Sequence, residues 1–428
     1  MSDTSLLTQL ISVRHDLTLD VDSMNDQAVA ELKAKGYTFH DMTSNQAIVF
    51  GQLTDERQWA GLSAEIKQFI GRHSLNLRED GDVLRVINLA TVLLARKVYS
   101  YLAPTGRLHA QISPSFSFDT EKIVEHAKQL VRLFKDYDIP KERVCIKIPS
   151  TPAGLLACRQ LEGEGIRTLA TCLFSVPQAV AAHQAGCLYV APYFNELRAH
   201  FERGVWKEYN DTVHEHPMAP VIYSIVKAFQ KLNSNTLVMP ASIVNLSEVV
   251  ALTRLSPNHL TISARVLQDM AQPGTAVANE ELEQVVMDGV NSSGKGNHRN
   301  NWADALSEAI QADTETQRKL NDALQIFDDT GTEDESISLR KASLIVGKDQ
   351  ETPSEEYMYC RYRRPETNRC IMCKQMRAIF PHMSHLGRGR RGGRRVRQPP
   401  PPEVGFSCWD FSCAGITDDA VGLEGELS

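Results

Sequence analysis

Between about residues 10 and 330, short apolar runs alternate with helical patterns, and this alternation leaves few folds open. The runs are Leu17–Asp22, Phe39–Thr43, Leu108–Ser113, Arg143–Ile148, Thr168–Phe174 (entered through Gly165-Ile166), Cys187–Ala191, Thr236–Ala241 and Leu260–Ser263. Short runs rich in apolar and β-branched residues read as strands. Helical patterns fill most of the gaps: Gln27–Lys35, Glu56–Ile70, Val83–Leu102, Thr120–Asp136, Pro152–Gly163, Pro177–Ala185, His216–Leu232 and Leu246–Leu255. Strands separated by helices at a spacing of roughly 25–40 residues suit parallel pairing, because each parallel pair needs a crossover. Eight such units in about 250 residues is the size of a closed (β/α)8 barrel. A doubly wound open sheet is the alternative, lowered because no G-x-G-x-x-G follows the first strand.

The barrel is expected to occupy residues 1–332, and the character of the chain changes after Thr332. Glu333–Ser338 is acidic and polar, Cys360–Met376 has no helical or strand period, Gly387–Arg397 is a basic low-complexity run, and Pro399–Pro402 is four prolines. Such a segment lacks the apolar content to fold, so 333–428 is expected to be a mostly disordered extension. Intron read-through would give the same composition. Cys360, Cys370 and Cys373, with His382 or His385, offer one C-x-x-C half of a zinc pattern but no second pair at a standard spacing. No metal is expected.

Net charge is −7, which argues against a whole-chain nucleic-acid binder and leaves Arg388–Arg397 as the segment suited to RNA or a nuclear signal. No run approaches the roughly 18 apolar residues of a membrane span, and Met1–Ser5 lacks a secretory pattern. Cys145, Cys158, Cys172 and Cys187 lie in apolar contexts and the other five cysteines lie in the tail. Neither set resembles a disulfide framework, so a reducing, cytoplasmic setting is expected. The oligomeric state is left open.

Within the run Val144-Cys145-Ile146-Lys147-Ile148-Pro149, a lysine stands among apolar neighbours. Burial disfavours the ammonium form, and an amine with a lowered pKa is a nucleophile toward carbonyls. Taken alone, the run favours a snorkelling or ion-paired lysine, because lysine is so seldom fully buried. The other strand ends alter that balance. They carry Asp20 and Asp22, Thr43, Ser44 and Asn45, Gln111, Thr171, Tyr193 and Ser242. In a barrel these would converge on one mouth with Lys147, and an amine, carboxylates, amides, hydroxyls and a phenol suit Schiff-base chemistry. Each also has a structural reading: Asp22, Ser44 or Asn45 as a helix cap, Tyr193 as a half-buried core aromatic.

Six segments in this order resemble a transaldolase of the fungal-looking branch. They are Leu19–Asp22, Asp41–Val49, Ser117–Lys122, Arg143–Thr151, Leu173–Ser175 and Val238–Ser242. The resemblance implies a (β/α)8 barrel and a cofactor-free Schiff-base enzyme of carbohydrate metabolism and the pentose phosphate pathway. Such an enzyme moves a dihydroxyacetone unit between ketose and aldose substrates. Carried over, Lys147 matches the Schiff-base lysine. Asp20 best matches the carboxylate that assists carbon–carbon cleavage and Asp22 is second, and strand one alone does not decide between them. Thr43 and Asn45 match the pair that holds substrate hydroxyls, Thr171 the threonine that positions water, and Ser242 a substrate or phosphate contact.

The chain departs from the family at several of these points. Gln111 stands where the family has a glutamate, Leu169 where it has an asparagine, and Tyr193 where it usually has a phenylalanine. The related fructose-6-phosphate aldolases share the glutamine and the tyrosine. Glu196 and Val244 occupy two arginine positions at the phosphate end, with Arg198, Arg203 and Lys207 nearby. An aldolase of specialised metabolism acting on an unphosphorylated carbonyl substrate is therefore an alternative. A catalytically inactive barrel serving as a binding protein is another.

Overall fold

A computed structural model describes residues 3–289 and 301–329 of the chain. The apolar runs form β1 (Thr18–Asp22), β2 (Leu108–Gln111), β3 (Val144–Pro149), β4 (Arg167–Leu173), β5 (Tyr189–Pro192), β6 (Leu237–Val238) and β7 (His259–Ser263). Every ladder is parallel, joining β2 through β6 in order and β7 to β1. Met42 bridges Val21 of β1 and Leu108 of β2. The Asn258 N–H donates to Val238 O, and the Thr261 N–H to Pro240 O, which ties β6 to β7. Among the described residues the sheet therefore closes on itself as a (β/α)8 barrel.

The strand expected at Phe39–Thr43 is reduced to a single residue, Met42, which bridges both neighbours. The cause lies in two carboxylates. Asp20 Oδ1 accepts the Asp41 N–H at 2.9 Å, and Asp41 Oδ1 accepts the Arg107 N–H at 2.7 Å. Side chains thus take two backbone donors that a longer ladder would use. Beside this seam, a Cβ on Gly106 would lie 1.6 Å from His40 O, so the close approach requires glycine.

The expected helices form with small boundary shifts, and Thr120–Asp136 and Pro152–Gly163 match residue for residue. Helices Leu6–Val13, Gln46–Thr54, Thr212–Glu215, Ala264–Met270 and Trp302–Ala312 add to the expected set, and residues 314–329 are helical. Leu320, Ala323, Leu324 and Phe327 of that last stretch are buried, so the body of the protein extends to the end of the described residues. The extension at 333–428, with Cys360, Cys370, Cys373, His382, His385 and Arg388–Arg397, lies outside them. Among the described residues no helix is long and apolar enough to cross a membrane.

All six residues of β3 and all four of β2 and of β5 are buried, as expected for strands covered on both faces. Side chains alternate along a strand, so Cys145 and Lys147 share one face of β3 while Ile146 and Ile148 share the other. The register sets Gln111 beside Lys147, and Pro149 beside Thr171.

Candidate active site

Lys147 is 3 % exposed, and its Nζ donates to Ser44 O at 3.4 Å. The Tyr193 ring centroid lies 6.0 Å from the same nitrogen. Burial pulls the Lys147 pKa below its ordinary value, and the charge of Asp22 and the Cys172 thiol oppose the shift only in part. The local run suggested a snorkelling or ion-paired lysine as the default. Among the described residues no carboxylate bridges it within salt-bridge distance.

The two strand-one carboxylates separate by level. Asp22 accepts from Thr43 Oγ1 at 2.6 Å, and Thr43 in turn shares a 2.5 Å hydrogen bond with Thr261 Oγ1. Its charge reaches Lys147, Tyr193 and His200. Asp20 lies one inward position lower. It is fully buried between the Asp41 N–H and His259 Nδ1, the latter 2.8 Å from Oδ2. Burial raises its pKa, with His259 opposing. The fold thus brings Asp22, and not Asp20, beside the lysine.

Gln111 is also held in place. Its Nε2 donates to Gln46 Oε1 at 2.6 Å, and Gln46 Nε2 donates to Ile112 O at 2.9 Å. Gln111 Oε1 is buried without a hydrogen-bond partner. Asn45 caps helix Gln46–Thr54, with Oδ1 accepting the Ile48 N–H at 3.0 Å. The structural reading of Asn45 therefore holds for Oδ1, while the amide nitrogen remains a donor. Ser44, Asn45, Gln46, Gln111, His126 and Asp328 border a cavity of about 240 Å³, and Lys147 is not among its lining residues.

Strand β4 breaks register between Ala170 and Leu173, and Cys172 takes φ 51°, in the left-handed region. Thr171 Oγ1 donates to Tyr193 Oη at 3.0 Å. Burial pushes Cys172 up to about 12 and Tyr193 well above its ordinary value, so both stay protonated at neutral pH. Tyr193 stacks edge-on against Phe174 at 5.5 Å.

At the mouth, Ser242 sits at φ 63° and its Oγ shares a 2.7 Å hydrogen bond with His200 Nε2. Burial lowers the His200 pKa, with Asp22 opposing. Glu196 pairs with Arg318 at 2.6 Å, and Arg318 also holds Asp322 at 2.9 Å. Arg198 is engaged by Glu202 at 2.8 Å and by Asp322 at 3.8 Å. Glu248, 2 % exposed, accepts from Asn195 Nδ2, Trp206 Nε1 and the Val244 N–H, each at 2.8 Å. Of the cations near Glu196, Arg198 is thus committed to protein carboxylates, as is Arg318 from farther along the chain.

Thr261, Gln46, Cys172 and His200 were not read from the sequence. Thr261 carried a signal, since it lies on the last apolar run at the polar position of its alternation. Cys172 is inward only because of the bulge, which no periodicity announces.

A family profile described as transaldolase/fructose-6-phosphate aldolase matches residues 19–333. A transaldolase of Shewanella sp. (strain MR-7) is 30 % identical over 253 residues, which cover 57 % of this chain and 74 % of that protein. A transaldolase of Aliivibrio fischeri (strain MJ11) is 26 % identical over 283 residues, covering 66 % and 83 %.

Proposed function

The chain belongs to the transaldolase/fructose-6-phosphate aldolase family, and from that premise we propose that Lys147 forms a Schiff base with an unphosphorylated ketose. As a transaldolase-type transferase it acts on small sugars. The observation that carries the reading is a buried amine of lowered pKa with Asp22, Tyr193 and the Ser44 carbonyl around it.

The steps follow from the placement. Lys147 Nζ attacks the ketose carbonyl carbon, and the carbinolamine loses water to give an iminium. Asp22 takes the proton from the hydroxyl next to the bond that breaks. The carbon–carbon electron pair moves into the enamine, and an aldehyde departs. The enamine then adds to an acceptor aldehyde. Alternatively it takes a proton, and water releases free dihydroxyacetone. Tyr193 and Thr171 form a hydroxyl pair that orients this water. Thr43 and the amide nitrogen of Asn45 hold substrate hydroxyls, and Ser242 with His200 meets the far end of the sugar.

Gln111 lacks the carboxylate needed to take a proton from water, which favours a tyrosine-based variant of the chemistry. The preference for an unphosphorylated sugar rests on the mouth. Each charge-assisted bond to a phosphate is worth about 1.5–3 kcal/mol. Here Arg318 and Arg198 are spent on Glu196, Asp322 and Glu202, and the Val244 N–H is taken by Glu248.

A panel of fructose, fructose 6-phosphate and dihydroxyacetone, each with an acceptor aldehyde, tests this by scoring free dihydroxyacetone against transferred product. The expected outcome is turnover of the unphosphorylated donor at a kcat/KM at least equal to that of the phosphate ester, with Gln111→Glu shifting products toward transfer. A strong preference for the phosphate ester would reject the substrate class. No turnover of any ketose would favour an inactive barrel that binds a partner.

A further inference from the structure

Below the pocket, the barrel interior is polar where such barrels usually hold branched apolar side chains. Asp20, Asp41 and His109 are fully buried there, and His259 is 6 % exposed. Tyr189 lies between the two imidazoles, 5.4 Å from the His109 ring and 5.2 Å from the His259 ring. Burying two carboxylates this way is costly unless each oxygen is engaged. Asp41 Oδ2 meets His109 Nε2 at 2.8 Å, and Asp20 Oδ2 meets His259 Nδ1 at 2.8 Å.

His40 does not fit this closed set. Its Nε2 is taken by Thr105 Oγ1 at 3.1 Å on the outer side. Its Nδ1 is buried and lies 2.7 Å from Asp41 Oδ1, yet it makes no aligned hydrogen bond. A nitrogen that close to a carboxylate oxygen calls for a proton between them or a cation beside them.

We propose that Asp20, His40 and His259 bind one divalent transition-metal ion of the zinc class at the lower rim of the barrel. One donor atom from each residue lies within 4.8 Å of the other two. Two imidazole nitrogens and a carboxylate oxygen suit Zn²⁺, whose bonds of about 2.0–2.2 Å would draw the three donors closer together than the 4.8 Å that bounds them here. Asp41, beside His40 and hydrogen-bonded to His109, orients the site as outer-shell carboxylates do. The His40 side chain is 26 % exposed, which gives the ion a way in.

The three residues come from β1, the Met42 stretch and β7, which are neighbours in the ring. An ion there cross-links the place where a strand has shrunk to the single residue Met42. Its role is structural, and it is independent of the Schiff-base reading because Lys147 contributes nothing to it.

The test uses the untagged full chain, stripped with chelator and titrated with Zn²⁺ and with Co²⁺ by calorimetry in two buffers of different ionisation heat. One ion per chain is expected, with proton release as the Asp20–His259 hydrogen bond gives way, a visible Co²⁺ band and a raised Tm. His40→Ala should weaken binding by about tenfold or more. Should that variant fail to fold, His40→Gln carries the same expectation. Cys370→Ser/Cys373→Ser, which removes thiols of the tail, should bind as the parent does. Absence of binding, unchanged affinity in the folded His40 variant, or loss of binding in the double cysteine variant would each overturn the proposal.

Discussion

Asp20 and Asp22 are two residues apart on one strand, so alternation puts both on the inner face and leaves their levels unresolved. The level is fixed by partners that are distant in sequence. Thr261 opposes Asp20 in register, but its hydroxyl reaches up to Thr43, which holds Asp22. Asp22→Asn should therefore lower kcat by about 10²–10⁴-fold with little change in Tm, in the range of a lost general base. Asp20→Asn should do the opposite, lowering Tm while leaving a larger share of kcat, because its carboxylate serves Asp41 and His259. Steady-state kinetics and thermal melts on the two variants decide the matter, and exchanged phenotypes would return the catalytic role to Asp20. The inward-facing residues were legible as a set from strand ends alone. Their pairing was not, because Gln46 with Gln111 and Thr171 with Tyr193 meet across 65 and 22 residues respectively.

Elements were readable wherever the period was regular and failed where side chains replaced ladder bonds. The Phe39–Thr43 run has strand composition, yet Asp20 and Asp41 take the backbone donors that would extend it. Helix Gln46–Thr54 went unread because Gly51 interrupts a short, evenly apolar stretch, although Asn45 announced its cap. Asp41 makes this seam sensitive to acid. Burial would raise its carboxyl, but the hydrogen bond to His109 and the adjacent His40 imidazole hold it far below the ordinary range. Its folded value lies below the unfolded value of about 3.9. Its contribution to stability is therefore complete above about pH 4 and is lost as pH falls toward the folded value. Urea midpoints across pH 6 to about 2 should fall less steeply in Asp41→Asn than in the parent, even though the variant starts lower. Parallel slopes would show that another carboxylate governs acid unfolding.

The whole molecule closes through contacts that sequence order conceals. β7 pairs with β1, and Arg318 on the last described helix reaches Glu196 across 122 residues. That ion pair turns a position expected to hold a cation for phosphate into part of the internal scaffold. The described body ends with Phe327 buried, so the barrel should be self-sufficient without the extension. A chain ending at residue 332 should keep the Tm and kcat of the full chain, measured by melting and turnover. A large loss in either would place the tail within the working enzyme. The central claim remains the amine at Lys147, and covalent trapping on the intact chain tests it most directly. Borohydride added in the presence of a ketose donor should attach one reduced dihydroxyacetone unit per chain, located at Lys147 by peptide mass analysis and absent from Lys147→Ala. A parent chain that turns over its ketose but traps no adduct, or a Lys147→Ala variant of full activity, would contradict it.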